Sequence, residues 1–335
     1  MSKVKQLINH LDLLREFLFS YIKKITFQLS RYPKQTIYEI GTNFYAKIKR
    51  NIDFFNGLDD IFILKKKINY LINFEDSLKY TKENFIDVKF FTFFLNNARS
   101  GHSLVGAILD AHPNIVISHE VDVLPLLKYH GFDFVKIYSR ILSNSYKLSK
   151  AINRFETGYN YNISYQYAGR YKILKVIGDK KGGGSCRYLD RDPKYIYKLL
   201  KIFGKKLKII SVFRNPYDNI VALSKRNNIP IKIATNIYFK RVETFQKIKN
   251  IIPEDQVLII THESLINDSN DTITKLCHFF ELDVPNDYLN ACNKILFKNP
   301  RARRYEIKWN EKDFNYIEKL INKEKNLEFF KDYKF

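Results

Sequence analysis

The chain has 335 residues, 45% of them hydrophobic and 27% charged, which excludes a disordered polymer and allows one large domain or two ordinary ones. Lys and Arg number 57 against 35 Asp and Glu, a formal net charge of +22. That excess excludes an acidic surface and predicts attraction to polyanions: nucleic acid, anionic lipid, or phosphate- and sulfate-bearing ligands. Cys186, Cys277 and Cys292 are too few and too oddly numbered for a disulfide framework, and no CxxC pair suggests zinc. No secretory apolar region and no run of about 18 apolar residues interrupts the charges. The expectation is a soluble, cytoplasmic protein without a metal.

Residues 1–85 are rich in Lys, Ile, Leu and Phe at helical spacing. Leu7, Leu11, Leu14 and Leu18 form one stripe, and Ile61, Leu64, Ile68 and Leu71 another. They predict a helical N-terminal extension, broken near Pro33, whose stripes pack on a main domain spanning 86–335. A basic helix in peripheral contact with a membrane through residues 1–30 is the alternative reading.

After residue 86 the texture changes. Val88–Leu95, Ile115–Ile117, Ile173–Ile177, Lys208–Phe213 and Val257–Ile260 are short runs rich in β-branched and aromatic residues. Helical patterns at 186–204, 216–227, 233–250 and 270–281 alternate with them. This predicts an α/β fold with a central parallel sheet of about five strands, buried on both faces by helices. Such sheets bind ligands at the carboxyl ends of their strands. Tyr159–Tyr171 and Lys181–Ser185 are expected to be exposed loops.

The first run leads into Asn96-Asn97-Ala98-Arg99-Ser100-Gly101-His102-Ser103-Leu104, which reads as strand, glycine turn and helix start. Open amides and the helix dipole make an anion site there. Against the G-x-x-x-x-G-K-[ST] phosphate loop, Gly101 and Ser103 fit, but His102 replaces the lysine, which argues against ATP or GTP hydrolysis. The fourth run ends in Phe213-Arg214-Asn215-Pro216-Tyr217-Asp218, and Pro216 suits a first helical position. Either Arg214 pairs with Asp218 and caps that helix, or it forms a second anion site on the sheet edge that carries Arg99. Glu120 follows the second strand and is either a proton acceptor or the cap of a helix at 122–129. Strand alternation predicts His119 and Glu120 on opposite faces, with His119 the base if the strand ends one residue differently. Gly178-Asp179-Lys180-Lys181 ends the third strand and aims one or two lysines at the crevice.

Taken together, these features resemble the sulfotransferases that use 3′-phosphoadenosine 5′-phosphosulfate, over roughly residues 88–310. Arg99-Ser100-Gly101-His102-Ser103 is similar to the family's 5′-phosphosulfate loop, and Arg214-Asn215-Pro216-Tyr217-Asp218 to its R-[DN]-P-x-D segment at the 3′-phosphate. Leu109-Asp110-Ala111-His112-Pro113 followed by Glu120 is most similar to the protein-tyrosine sulfotransferases, where the corresponding glutamate is the catalytic base. Lys180 corresponds to the family's lysine after the third strand, and Thr261-His262-Glu263-Ser264-Leu265 is a variant of its Tyr-Glu-x-Leu. Two departures stand out: Ala222 occupies the place of the 3′-phosphate serine, and His102 that of a small hydroxyl residue.

The resemblance implies a P-loop-like sulfotransferase fold and sulfuryl transfer from that cosubstrate to a hydroxyl acceptor, whether tyrosyl peptide, glycan or another alcohol. It assigns catalysis to Glu120, Lys180 and Arg99. Donor binding falls to Arg99, Ser100, Gly101, His102, Ser103, Leu104, Arg214, Ser224, Arg226 and Arg303, with Arg301 and Arg304 closing from the C-terminal side. No metal and no nucleic-acid partner are expected. A P-loop nucleotide kinase and a basic nucleic-acid-binding protein are the alternatives.

Overall fold

The computed structural model describes residues 80–331, apart from 151–154, 157–158, 164–166 and 168. The helical stripes of residues 1–71 and the membrane-contact reading of residues 1–30 therefore lie outside the described residues.

Five parallel strands form the centre: β1 (Phe90–Phe94), β2 (Ile115–His119), β3 (Val176–Lys180), β4 (Leu207–Phe213) and β5 (Val257–Thr261). Their spatial order is β2-β3-β1-β4-β5, so the chain leaves β1 in one direction and later returns to its other side. That reversal opens a crevice at the carboxyl ends of β1, β3 and β4. Every residue of β1, β3 and β4 is buried, as the unbroken apolar runs require of a sheet covered on both faces. The pleat divides the sheet's side chains between two cores. Phe91, Phe93, Ile177 and Ile209 enter one, and Phe90, Phe94, Val176 and Ile210 the other.

The helices follow in chain order. They are α1 (His102–Asp110), α2 (Val123–Tyr129), α3 (Phe134–Lys150), α4 (Gly183–Arg191), α5 (Tyr195–Phe203), α6 (Pro216–Asn227), α7 (Ile231–Lys249), α8 (His262–Asn267), α9 (Ser269–His278), α10 (Asn286–Asn293) and α11 (Glu311–Lys323). The single helix expected over 186–204 is two, because Asp192-Pro193 interrupts the hydrogen-bond ladder between α4 and α5. The exposed loop expected at Lys181–Ser185 is also corrected. Gly182, Gly183 and Ser185 are buried, and α4 begins within the glycine run.

The third strand begins three residues later than its apolar run suggests and extends through Gly178-Asp179-Lys180. Gly178 permits this, since any Cβ there would overlap the Thr92 carbonyl of β1. The three cysteines are free and buried, and burial pushes each thiol up to about 12. Among the described residues no helix is long and apolar enough to cross a membrane.

Gly178→Ala should force β1 and β3 apart and destabilise the protein by about 1–3 kcal/mol. A urea titration checks this through a lower midpoint at unchanged slope. An unmoved midpoint would contradict so close an approach of the two strands.

Candidate active site at the carboxyl edge of the sheet

The loop after β1 turns on two residues of positive φ, Arg99 at 69° and Gly101 at 94°. Gly101 is the N-cap of α1 and supplies no side chain to the helix amides; Leu104 and Val105 are the first to donate back to its carbonyl. The first amides of α1 therefore receive no side-chain cap from residue 101. A Cβ on Gly101 would stand 2.5 Å from Nδ1 of His262, so the turn and α8 meet only because residue 101 is glycine. Asn97 ties the loop to α7 by donating to the Tyr238 carbonyl at 3.2 Å. His102 is buried under the loop, with its Nδ1 3.3 Å from Ser100 Oγ. Burial and the nearby Lys180 charge push its imidazole well below the usual value, so it is neutral.

The side chain of Lys180 is 1% exposed. Its Nζ donates to Ser103 Oγ at 3.1 Å, lies 3.0 Å from His119 Nε2, and meets Glu120 Oε1 at 3.4 Å. Lys181 adds an ion pair to Glu120 Oε2 at 3.1 Å. Burial pushes the Glu120 carboxyl up, but the two ammoniums outweigh burial and hold it at about 2. His119 and Glu120 do not face opposite ways as alternation predicts. Glu120 has φ 61°, which ends the strand geometry and turns its carboxylate back to the lysine that His119 also reaches.

Glu120 is also not the cap of α2. Asp179 takes that role, accepting from the amides of Val121, Asp122 and Val123 and from Ser118 Oγ. Burial pushes its carboxyl above the usual range, partly offset by those donors.

At the end of β4, Asn215 caps α6 through the amides of Tyr217 and Asp218, and Glu263 of α8 accepts from the Asn215 amide. Asp218 is engaged by Arg304, whose amide and guanidinium each donate to it at 2.7 Å. Arg214 is not confined to a cap: its guanidinium donates to the Arg99 carbonyl and to the Arg301 carbonyl. It thus joins the loop after β1 to the C-terminal segment.

A family profile described as the sulfotransferase family matches residues 93–286, more than half of the chain, from the end of β1 through α9. The chain belongs to the sulfotransferase family.

Its fold is the P-loop-like fold of that family. A comparison with curated protein sequences finds no match. Solved structures similar to the chain include the sulfotransferase domain from the Synechococcus PCC 7002 olefin synthase, at 19% identity and TM-score 0.42, covering 61% of this chain and 78% of that one. A sulfotransferase from Mycobacterium avium aligns at 12% identity and TM-score 0.43, covering 76% and 79%. A mouse sulfotransferase complexed with PAP aligns at 13% identity and TM-score 0.40, covering 70% and 84%.

Within this sulfotransferase fold the structure brings Arg99, Ser103, Glu120, Lys180 and Arg214 to one edge of the sheet, while three of the expected donor-binding residues, Ser224, Arg226 and Arg303, have other surroundings. Ser224 lies in the third turn of α6, where its hydroxyl donates to the Ile229 carbonyl at 2.6 Å. That bond closes the helix end and spends the hydroxyl's one proton. Arg226 is exposed in the last turn of the same helix. Arg303 and Arg301 converge instead on Glu306, which Lys225 also meets at 2.8 Å, while Ala222 is buried and carries no donor.

The place of one residue in the site escaped sequence reasoning. His262 packs on Gly101, and its Nδ1 is buried without a hydrogen-bond partner among the described residues. Burial and then the Arg214 charge push this imidazole down to about 3. The only signal in the sequence was a histidine at the tyrosine of the Tyr-Glu-x-Leu pattern.

Gly101→Ala should destabilise the protein by about 1–2 kcal/mol from backbone conformation, with a further cost from the collision with His262. His262→Ala removes the collision and leaves the backbone penalty. Chemical denaturation of the two single variants and the double variant should therefore give effects well short of additive.

Proposed function

We propose that the chain transfers a sulfuryl group from 3′-phosphoadenosine 5′-phosphosulfate to a hydroxyl acceptor. The observation that carries this reading is the buried ammonium of Lys180, shared between Ser103 of the anion loop and the carboxylate of Glu120. A cation bridging an anion cradle and a base is what group transfer to a hydroxyl needs: charge stabilisation on one side and a proton sink on the other.

The residues fit the donor. The loop after β1 presents helix amides past a glycine that no side chain fills, and the orphaned Nδ1 of His262 faces the same turn. The donor supplies an activated sulfuryl group on a phosphate leaving group; the protein supplies position and charge. The amides at 100–104, Arg99 and Lys180 hold the anionic end. Arg214 at the start of α6 holds the 3′-phosphate, with Arg301, Arg303 and Arg304 on the segment it grips from the C-terminal side.

Glu120 takes the acceptor's proton as the new oxygen–sulfur bond forms. Its side chain is 42% exposed, within an acceptor's reach, while Lys180 beside it is sealed from water. A carboxyl held at about 2 is ionised throughout the neutral range and a weak base while both ammoniums bind it. Drawing Lys180 toward a bound anion loosens that grip and raises its basicity. The Leu109–Pro113 segment with Glu120 supports a base of the kind found in protein-tyrosine sulfotransferases. The acceptor class is accordingly a tyrosyl peptide, a glycan or another alcohol.

Two measurements test this reading. Adenosine 3′,5′-bisphosphate should bind more tightly than AMP by roughly 10- to 150-fold, the value of one charge-assisted contact of about 1.5–3 kcal/mol. Arg214→Ala should abolish most of that preference in calorimetry. Equal affinities for the two nucleotides in the unaltered protein would sink the donor assignment.

Glu120→Gln should leave bisphosphate affinity within a few-fold and lower turnover with labelled donor by about 10²–10⁴. The lowered carboxyl value also fixes a sign. The stabilisation from the Glu120 ion pairs is complete above the ordinary carboxylate value and is lost as pH falls toward about 2. The stability difference between Glu120→Gln and the unaltered protein should accordingly shrink across that acid window in a denaturation series.

A further inference from the structure

We propose that His119 is a positioning residue: its Nε2 accepts a proton of the Lys180 ammonium and holds that ammonium between Ser103 and Glu120. The inference rests on the sulfuryl-transfer reading above, but its starting point is the register of the sheet. β2 and β3 are parallel neighbours, and His119 is aligned with Lys180. Residues in register on adjacent strands project to the same face, so the imidazole and the lysine stem run side by side out of the sheet.

The ammonium has three protons, and among the described residues three acceptors surround it: His119 Nε2 at 3.0 Å, Ser103 Oγ at 3.1 Å and Glu120 Oε1 at 3.4 Å. The imidazole is the nearest of the three. At 1% exposure Lys180 has no ready supply of water to replace a lost acceptor, and an unmet proton on a buried cation is costly.

This arrangement defines the state of His119. To accept at Nε2 the ring must be neutral with its proton on Nδ1. The ring is held in place by its own backbone, whose amide donates to Asn144 Oδ1 of α3 at 2.8 Å. An Nε2 that receives the lysine's proton is not open to receive the acceptor hydroxyl's, so the positioning role and a base role at that nitrogen exclude each other. Among the described residues, the ring interacts with Lys180, Glu120 and His102.

The test uses the full chain with two substitutions. His119→Gln keeps an acceptor oxygen near the place of Nε2, while His119→Leu removes the acceptor. The expected result is a His119→Gln enzyme within a few-fold of normal turnover. His119→Leu should lose turnover roughly 10- to 100-fold, the scale of a misplaced catalytic group. Both should bind adenosine 3′,5′-bisphosphate normally. If His119→Gln is as inactive as His119→Leu, the ring is a proton-transfer group and the proposal is overturned; it is equally overturned if both variants keep normal kcat.

A protein that binds no bisphosphate and consumes no donor would instead defeat the functional reading. The placement of His119 is then judged by nitrogen-15 NMR of its imidazole. The Nδ1–H tautomer should dominate in the unaltered protein and give way to Nε2–H in Lys180→Met. An Nε2–H tautomer in the unaltered protein overturns the proposal whatever the activity.

Discussion

A buried ammonium is the constraint around which the catalytic edge is arranged. Lys180 stands on the central part of a sheet covered on both faces, where an isolated charge could not persist. Its neutralisation draws in a residue from each neighbouring segment: Ser103 from the start of α1, His119 from β2 and Glu120 from the turn beyond it. The loop after β1 and the Glu120 carboxylate are thereby held to a common point. A cation stored in this way is already desolvated, which suits it to the proposed role of meeting developing negative charge with little reorganisation.

A second basic group works by a different route. Arg214 donates to the backbone carbonyls of Arg99 and Arg301, and so fastens the loop after β1 to a segment that follows Arg214 by 87 residues. Asp218 grips the same distant segment through Arg304, and Glu306 gathers Lys225, Arg301 and Arg303. The side of the crevice nearest α6 is thus lined by cations whose partners are carbonyls and carboxylates of the protein itself. The net charge of +22 acquires a local meaning here: clustered cations that an anionic ligand can recruit.

The division of labour among carboxylates follows from position. Asp179 and Glu120 are both at strand ends, and either type of residue can cap a helix. Asp179 lies within β3 and reaches the open amides of α2, which leaves Glu120 free to meet two lysines. Burial pushes the first carboxyl up, whereas paired ammoniums hold the second down to about 2. Two similar side chains at neighbouring strand ends are therefore held by different partners, backbone amides for one and ammoniums for the other.

Much of this was legible in the sequence, for local reasons. Unbroken apolar runs such as Phe90–Phe94 and Leu207–Phe213 specify strands buried on both faces, and Gly101 and Pro216 mark the two strand-to-helix turns. Arg99, Glu120, Lys180 and Arg214 were readable because each sits at a fixed offset from such a boundary. Other features depended on contacts between distant segments. Ser224 bonds to Ile229 rather than turning to the crevice, Asp179 rather than Glu120 caps α2, and His262 meets Gly101 across 161 residues. The pairing of His119 with Lys180 belongs to this group as well. Side-chain periodicity along one strand determines which face a residue occupies, but the partner on that face is chosen by register between strands, and register is a property of the assembled sheet.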